Sequence, residues 1–486
     1  MDYRLGTPAT AGPPVPRRRR RVLRRMLVAA LGGGVAAGAV LMLPSTESHP
    51  RAAGPPAPGP QAQAQAQAQA LTAVTAGVPA ALPQLTALIG EQERRVRERP
   101  RDARAWAVLG SAYVQRGRRA ADPADFPRAE RALQASLRVR GQHNTEALDG
   151  LTALANARRD FPAAKRYGEQ ALKAAPKRWQ SYPPLIDAYT GLGDYKAARG
   201  SLDKLLALRT GAAERPAMMA RAAAVYRDRG WREDAVAQLT DAAAAAGTPA
   251  EQAAYLTGLG QLAWERGDLP DALRHFEAAV RLDPEQRAAA AGRGRVLAAQ
   301  GRTSAAVGAY RQASAAAADP ADVVELGELY ESLGRHREAG AQYDRLKALV
   351  RRRIAAGVDE ELLIGRFEAD HGDALDAVRR LRAEWERQPG IEVADALGWA
   401  LHRAGEDQEA LGYAVLATDT AKGGVRSALY AFHRGMVERE LDLYAPARRH
   451  LAEALRINPY FSPLAVPAAR AALRELGDVP EEPPPS

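Results

Sequence analysis

Histidine and carboxylate side chains are the residues of this chain that could support acid–base or metal chemistry. No two of the eight histidines form a close pair, so no zinc-binding helix or three-ligand cluster is recognisable, and we expect most to lie on the surface of helices. The 58 acidic residues include no distinguishable catalytic pair. The absence of cysteine excludes disulfides, thiolate ligands and a thiol nucleophile. We therefore predict no catalytic, cofactor or metal site and no enzymatic activity.

The net charge of +10 is concentrated at the N-terminus. Eight arginines and one acidic residue lie within residues 1–43, which leaves 60 basic and 57 acidic side chains for the rest of the chain. Because this body is nearly neutral, we predict that it does not bind nucleic acid. Abundant alanine and an aromatic content of only 6% favour closely packed helices over sheets. The bias towards alanine, arginine and glycine is typical of an actinobacterial-like source.

An uncharged apolar run over residues 26–43 follows the arginine block from Arg17 to Arg25. Eighteen helical residues span ~27 Å, which just crosses the core of a bilayer. Secretory signal cores are usually about 7–15 residues long, and no small-x-small cleavage site follows Leu43, so we predict an uncleaved transmembrane signal anchor. The arginines place residues 1–25 in the cytoplasm and the body outside the cell membrane. Cleavage and release as a secreted protein is the alternative.

Residues 44–84 are rich in proline, alanine and glutamine and include five consecutive Gln-Ala pairs from Gln61 to Ala70. Such sequence lacks the apolar spacing that would bury one face of a helix. We predict a disordered linker over 44–84 and a disordered tail over 477–486.

Seven glycines recur every 33 to 38 residues in the remaining sequence, and each is followed five positions later by an alanine. Nine positions after the glycine the residue is large and apolar in six of the seven cases. Glycine can adopt the left-handed conformation that ends one helix, and the alanine allows the next helix to pack closely. The pattern predicts helical hairpins with turns at Gly193, Gly230, Gly267, Gly301, Gly334, Gly372 and Gly405.

The first helices of these hairpins carry a second pattern. Trp106, Leu109, Gly110 and Tyr113 have the spacing that opens a tetratricopeptide repeat, with partial copies at Leu259-Gly260, Leu326-Gly327 and Leu397-Gly398. The chain therefore resembles the tetratricopeptide-repeat family. The resemblance implies an all-α fold, a right-handed superhelical solenoid over residues 103–461, between capping helices over 85–102 and 462–476. We expect about ten hairpins, beginning near residues 103, 145, 179, 216, 253, 287, 320, 358, 391 and 428.

In this family the first helices line a concave groove that binds extended peptides or helices of partner proteins. Placing the sequence on these helices predicts groove-facing side chains at Asn156, Asp187, Gln261, Trp264, Arg295, Glu328, Arg366, Trp399 and His402. Trp264 and Trp399 could anchor a partner, or they could pack against a neighbouring hairpin. The groove positions of the first three repeats are mixed in charge, which disfavours a clamp for a partner's terminal carboxylate.

These features together predict a membrane-tethered scaffold for proteins or peptides, with no small-molecule substrate. A regulatory subunit of an envelope enzyme is a less favoured alternative, because the repeats leave no room for a separate catalytic domain.

Overall fold

The structure is a computed structural model that describes residues 60–141, 143–208, 210–315, 317–420 and 423–477. All of them belong to one compact unit, Pro58–Ser486. The described residues form 23 α-helices and two short 3-10 helices, Pro123–Asp125 and Trp179–Ser181, and contain no β-strand. The predicted arm, transmembrane segment and most of the predicted C-terminal tail lie outside the described residues. Among the described helices, none is both long enough and apolar enough to cross a membrane.

The core of the fold is a series of ten antiparallel helical hairpins. The first five are α3 (Ala103–Ala120) with α4 (Phe126–Arg140), α5 (Thr145–Ala157) with α6 (Phe161–Ala174), α7 (Tyr182–Gly191) with α8 (Tyr195–Ala207), α9 (Arg215–Asp228) with α10 (Arg232–Ala244), and α11 (Pro249–Glu265) with α12 (Leu269–Leu282). The last five are α13 (Arg287–Ala299) with α14 (Thr303–Ala313), α15 (Pro320–Ser332) with α16 (His336–Ala355), α17 (Glu361–His371) with α18 (Ala374–Arg387), α19 (Ile391–Arg403) with α20 (Asp407–Thr418), and α21 (Ala428–Glu440) with α22 (Tyr444–Ile457). Helices α2 (Leu82–Glu98) and α23 (Ala465–Leu476) cover the two ends.

The turn glycines adopt the expected conformation in six of the seven predicted turns, with φ between 70° and 82°. Gly372 is the exception, with φ −142°, because only two residues separate α17 from α18 where the other glycine turns have three. Asp442 stands in the glycine position of the tenth hairpin and takes the left-handed conformation, with φ 59°. Asparagine and aspartate tolerate this region better than most residues, which explains the substitution.

The alanines that follow the turns by five positions are all buried, with at most 3% of their surface exposed. Their small size lets the two helices of each hairpin approach closely. Glycines on the first helices serve the same purpose: a Cβ at Gly260 or at Gly292 would collide with the ring of Phe276, which is 1% exposed. The core is therefore a continuous stack of large residues set against small ones.

Part of the predicted linker is helical, which corrects the sequence-based expectation for residues 60–76. Helix α1 (Pro60–Ala76) contains the Gln-Ala pairs, and its Ala70, Ala73 and Val74 are buried in the cluster that α2 and α3 also form. Alanine and glutamine are good helix formers, and the small alanine side chains suffice for burial once α2 supplies Leu85 and Leu88. Residues 44–59 lie outside the described residues.

Hairpins that are far apart in sequence contact each other directly. The Ile391 amide donates a hydrogen bond of 3.0 Å to the Tyr195 hydroxyl, and the Asn458 side chain donates one of 2.8 Å to the Trp264 carbonyl oxygen. Three further hydrogen bonds join Phe161 with Gln388, Asp359 with Arg158, and Arg232 with Arg426. These long-range bonds join the second to fifth hairpins, which we call the early repeats, to the eighth to tenth hairpins, which we call the late repeats. The early and late repeats therefore enclose the space between them.

Candidate binding cavity

A cavity of about 1370 Å³ lies between the early and late repeats. Its wall is formed mainly by the first helices of the third to tenth hairpins, completed by α23 and the segment that precedes it. Eight arginines, ten carboxylates and ten aromatic residues line it, and these ten are more than a third of the 27 aromatic residues in the chain. This volume exceeds the ~300–1,000 Å³ of a typical small-molecule site, so the cavity has room for a segment of polypeptide.

Seven of the nine predicted groove residues line this cavity, namely Asp187, Gln261, Trp264, Arg295, Glu328, Arg366 and Trp399. The other two do not. The Asn156 side-chain amide donates to the Pro184 carbonyl oxygen at 2.6 Å, and His402 Nδ1 lies 2.5 Å from Asp407 Oδ1 at the next turn. Both side chains are occupied by contacts within the repeats, so they serve the packing of neighbouring elements.

Trp264 and Trp399 expose only 7% and 8% of their surface. The ring of His433 stacks on Trp399 at a centroid distance of 4.3 Å and an interplanar angle of 15°. The Arg295 guanidinium lies over Trp264, 5.7 Å from the ring centroid. Both tryptophans therefore pack mainly within the protein. This agrees with the interpretation that they pack against a neighbouring hairpin and do not anchor a partner.

Arg295 is held by a network within the cavity wall. It donates to Glu325 at 3.1 Å and 2.5 Å and to Gln261 Oε1 at 3.0 Å. Burial alone would lower the pKa of Arg295, but the charge of Glu325 outweighs burial and the pKa is raised. Because Arg295 on α13 donates to Gln261 on α11 and to Glu325 on α15, these bonds fix the spacing between the three helices.

The centre of the cavity brings together charged groups from both groups of repeats. Enclosure by the cavity wall would raise the pKa of Glu392, but the charges of Arg366, Arg159 and Arg227 outweigh this effect and lower it. Asp228 behaves oppositely, since burial and then the neighbouring carboxylates, among them Glu392, outweigh Arg227 and raise its pKa to about 7. Glu392 remains exposed to the interior space. A ligand in the cavity would therefore meet charges of both signs.

A second group of carboxylates lies on α15 and α17. Glu328, Glu331 and Asp370 all line the cavity, and we refer to these three residues as the acidic wall. Their only charged neighbour at ion-pair distance in the described chain is His371, at 3.7 Å from Glu328 and 3.5 Å from Glu331. Burial lowers the pKa of His371, but the three carboxylates outweigh it and raise the pKa.

Five of the seven histidines in the described part of the chain are partly or fully buried, which corrects the expectation that most lie on the surface. His433 is 8% exposed and pairs with Asp395 at 2.9 Å, and His450 pairs with Glu438 at 2.6 Å. The partners lie on different helices, so spacing along the chain could not reveal them. No group of three or more potential ligands for a metal ion occurs among the described residues.

The repeated hairpins define an all-helical solenoid whose first helices face a common interior. Residues 257–322, from α11 to the start of α15, match the tetratricopeptide-repeat family. This part of the chain is built of tetratricopeptide repeats. Proteins of this kind generally mediate protein–protein interactions, and their fold is typically a non-enzymatic scaffold with a long concave surface. The membrane-anchored, actinobacterial-like type stays a prediction.

A segment of 147 residues, 29% of this chain, is 37% identical to the cellulose synthase operon protein C of Xanthomonas axonopodis pv. citri (strain 306). The matched part covers 10% of that protein, so the chain corresponds to about a tenth of this curated relative.

Two solved structures are similar to part of this chain. A human IFIT1 dimer with m7Gppp-AAAA shares 16% identity over 70% of this chain and 77% of its own, with a TM-score of 0.45. PilF of Pseudomonas aeruginosa shares 19% identity over 42% of this chain and 91% of its own, with a TM-score of 0.34. Such values carry no inference about function.

Proposed function

We propose that the protein is a membrane-tethered scaffold that binds a segment of a partner protein in the cavity between its early and late repeats. The observation that supports this proposal best is the composition of the cavity, which combines aromatic surface with arginines and carboxylates on rigid helices. Aromatic residues and arginine are enriched at the centres of protein interfaces. Because the repeats hold these side chains in place, little ordering entropy is lost on binding.

The contacts that enclose the cavity favour an extended segment as the ligand. Gln388 and Asn458, which bridge the early and late repeats, are 0% and 1% exposed, so these contacts are packed interfaces. A folded domain could enter only if such contacts opened, whereas an extended chain could pass along the interior. An unfolded segment also offers main-chain groups to the many polar side chains of the wall.

The tether belongs to the same proposal. The apolar run over 26–43 follows an arginine-rich arm, which supports a single-pass anchor with the N-terminus in the cytoplasm and the repeats outside the membrane. In that arrangement the partners are envelope proteins.

Site-specific photo-crosslinking in the native host tests the binding site. A crosslinking residue is placed at Glu392, which faces the cavity, and at Glu386 on α18, which is exposed but does not line it. We expect a discrete protein adduct from position 392 and none from position 386. Adducts of equal yield from both positions, or from 386 alone, would contradict the assignment of the cavity.

Protease accessibility tests the topology independently. Cells stripped of their wall are treated with protease before and after lysis, and the repeats are detected with an antibody. We expect digestion in intact cells. Digestion only after lysis would place the repeats in the cytoplasm, and release of the repeats into the medium with an N-terminus beyond residue 43 would favour the secreted alternative.

A further inference from the structure

The acidic wall has no lysine or arginine partner in the described part of the chain. Glu328, Glu331 and Asp370 lie on two adjacent first helices, and no lysine or arginine of the described chain forms an ion pair with any of them. Elsewhere in the cavity, Glu265 and Glu325 each pair with an arginine. Burial, followed by the charges of Asp370 and Glu325, raises the pKa of Glu328 even though His371 opposes that shift. A cation bound here would stabilise the charged form of Glu328, which burial disfavours.

His371 provides a second, independent sign that a partner group is missing. Its side chain is only 10% exposed, it lines the cavity, and its Nε2 atom has no hydrogen-bond partner among the described residues. The distance of 3.7 Å to Glu328 is longer than a hydrogen bond. Buried polar atoms are normally satisfied, so an unsatisfied ring nitrogen beside three carboxylates points to a site that a ligand completes. In the tautomer with its proton on Nδ1, towards Glu331, Nε2 is an acceptor that a cationic donor group would satisfy.

The surroundings suit the hydrocarbon stem of a long cationic side chain. The rings of Phe367 and Tyr343 lie 5.1 Å and 4.7 Å from the imidazole of His371. Trp399 donates from its indole nitrogen to Asp370 Oδ1 at 2.8 Å, which fixes that carboxylate towards the cavity. Glu328 and Glu331 keep 23% and 34% of their side chains exposed, so both can be reached from the interior. Lysine and arginine stems pack well on aromatic surface beside a charged end.

We propose that the acidic wall binds a lysine or arginine side chain of an extended segment in the partner protein. The proposal rests on the proposed function and adds the chemical class of the segment. Glu328 and Asp370 would accept hydrogen bonds from the ammonium or guanidinium group, while Phe367 contacts its stem. Charge-assisted bonds in a partly enclosed site are stronger than those at an open surface, so this position would determine which segments bind.

Fluorescence anisotropy with labelled ten-residue peptides tests the proposal on the full-length chain in detergent. The probes are a peptide of alternating alanine and lysine, and the same peptide with glutamate or glutamine in place of lysine. The double variant Glu328→Gln, Asp370→Asn removes two charges without changing side-chain size, and asparagine can still accept the bond from Trp399. The matched control is Glu338→Gln, Asp344→Asn, at exposed positions of α16 outside the cavity.

We expect the lysine peptide to bind at least about tenfold more tightly than the glutamate peptide, and the cavity variant to lose about fivefold or more of that affinity while the control keeps it. Equal affinity for the lysine and glutamate peptides, absence of binding by the lysine peptide, or an unchanged affinity in the cavity variant would each overturn the proposal. Equally strong competition by spermidine would overturn the assignment to a peptide. If the wild-type chain forms the photo-crosslinked adduct from position 392 but shows no preference for the lysine peptide, the proposed function stands and only this inference fails.

Discussion

The side-chain amide of Asn458 donates a hydrogen bond of 2.8 Å to the carbonyl oxygen of Trp264, which precedes it by 194 residues. That carbonyl lies in the last turn of α11 and also accepts from the Gly267 amide at 2.9 Å, so Asn458 adds a second hydrogen bond to it. The Asn458 Oδ1 atom accepts from the Tyr460 amide at 2.9 Å, so both ends of the side chain are used. One residue therefore joins the fifth hairpin to the end of the tenth, and both Asn458 and Trp264 line the cavity that this contact helps to enclose.

Replacement of Asn458 by alanine should destabilise the protein by about 1–3 kcal/mol, because the Tyr460 amide loses its side-chain acceptor and the Trp264 carbonyl keeps only the Gly267 amide as a donor. The midpoint of urea unfolding, followed by circular dichroism, measures the effect. Gln170→Ala is the control, since Gln170 is exposed on α6. Equal midpoints for the Asn458 variant and the wild type would show that the contact contributes nothing to stability.

Replacement of Gly193 by alanine should destabilise the protein more than the same change at Gly334. Both glycines have φ 70°, so each variant carries the strain of a left-handed alanine, about 1 kcal/mol. At Gly193 the new Cβ would also collide with the carbonyl oxygen of Pro389, which lies in the loop between the eighth and ninth hairpins. At Gly334 no atom lies near the position of the new Cβ. We expect an additional loss of about 1–3 kcal/mol at Gly193 in thermal or urea unfolding. An equal loss in both variants would contradict the close approach of the early and late repeats.

The hairpins could be predicted because each depends on local sequence. A turn glycine, an alanine five residues later and a large residue nine residues later constrain one repeat without reference to the others, and Ala272 and Phe276 occupy the buried positions that this rule assigns. Helix α1 was missed for the converse reason. Its Gln-Ala repeat has no apolar periodicity of its own, and its burial depends on surface that α2 supplies.

The cavity could be predicted only in part. A position on a first helix indicates the side that faces the interior, which is why seven of the predicted residues line it. The position of a residue on its helix does not indicate which residues of other hairpins lie opposite it across the cavity. Whether Glu392 meets Arg159 and Arg227, or Gln388 meets Phe161, depends on how far the stack of hairpins turns and rises per repeat. This rotation and rise result from small angles summed over the nine interfaces between the ten hairpins, and no single repeat shows them.

The stability of the protein should depend on the protonation of Asp228. Burial, followed by nearby carboxylates, raises its pKa from 3.8 to about 7. A raised folded-state pKa means that the folded protein binds the proton more tightly, so this contribution to stability is complete below pH 3.8 and is lost as the pH rises through about 7. Asp228→Asn should therefore be more stable than the wild type at pH 8, by about 1–2 kcal/mol, with a smaller gain at pH 5. Urea unfolding at both pH values measures this, with Asp344→Asn as the control; a gain that is equal at both would contradict the assignment to Asp228.

The buried pair of His433 and Asp395 should be among the most sensitive sites of the late repeats. The two side chains are 2.9 Å apart, Asp395 is 2% exposed, and its second carboxylate oxygen has no hydrogen-bond partner among the described residues. His433→Ala would leave this carboxylate buried alone and would also remove the ring that stacks on Trp399, which predicts a loss of about 3–5 kcal/mol. Urea unfolding followed by tryptophan fluorescence measures it. His143→Ala, at an exposed loop position, should change stability by less than about 0.5 kcal/mol. If Asp395→Asn in the His433→Ala background recovers part of the loss, the stranded charge is its cause, and if it recovers none, the lost packing on Trp399 accounts for it instead.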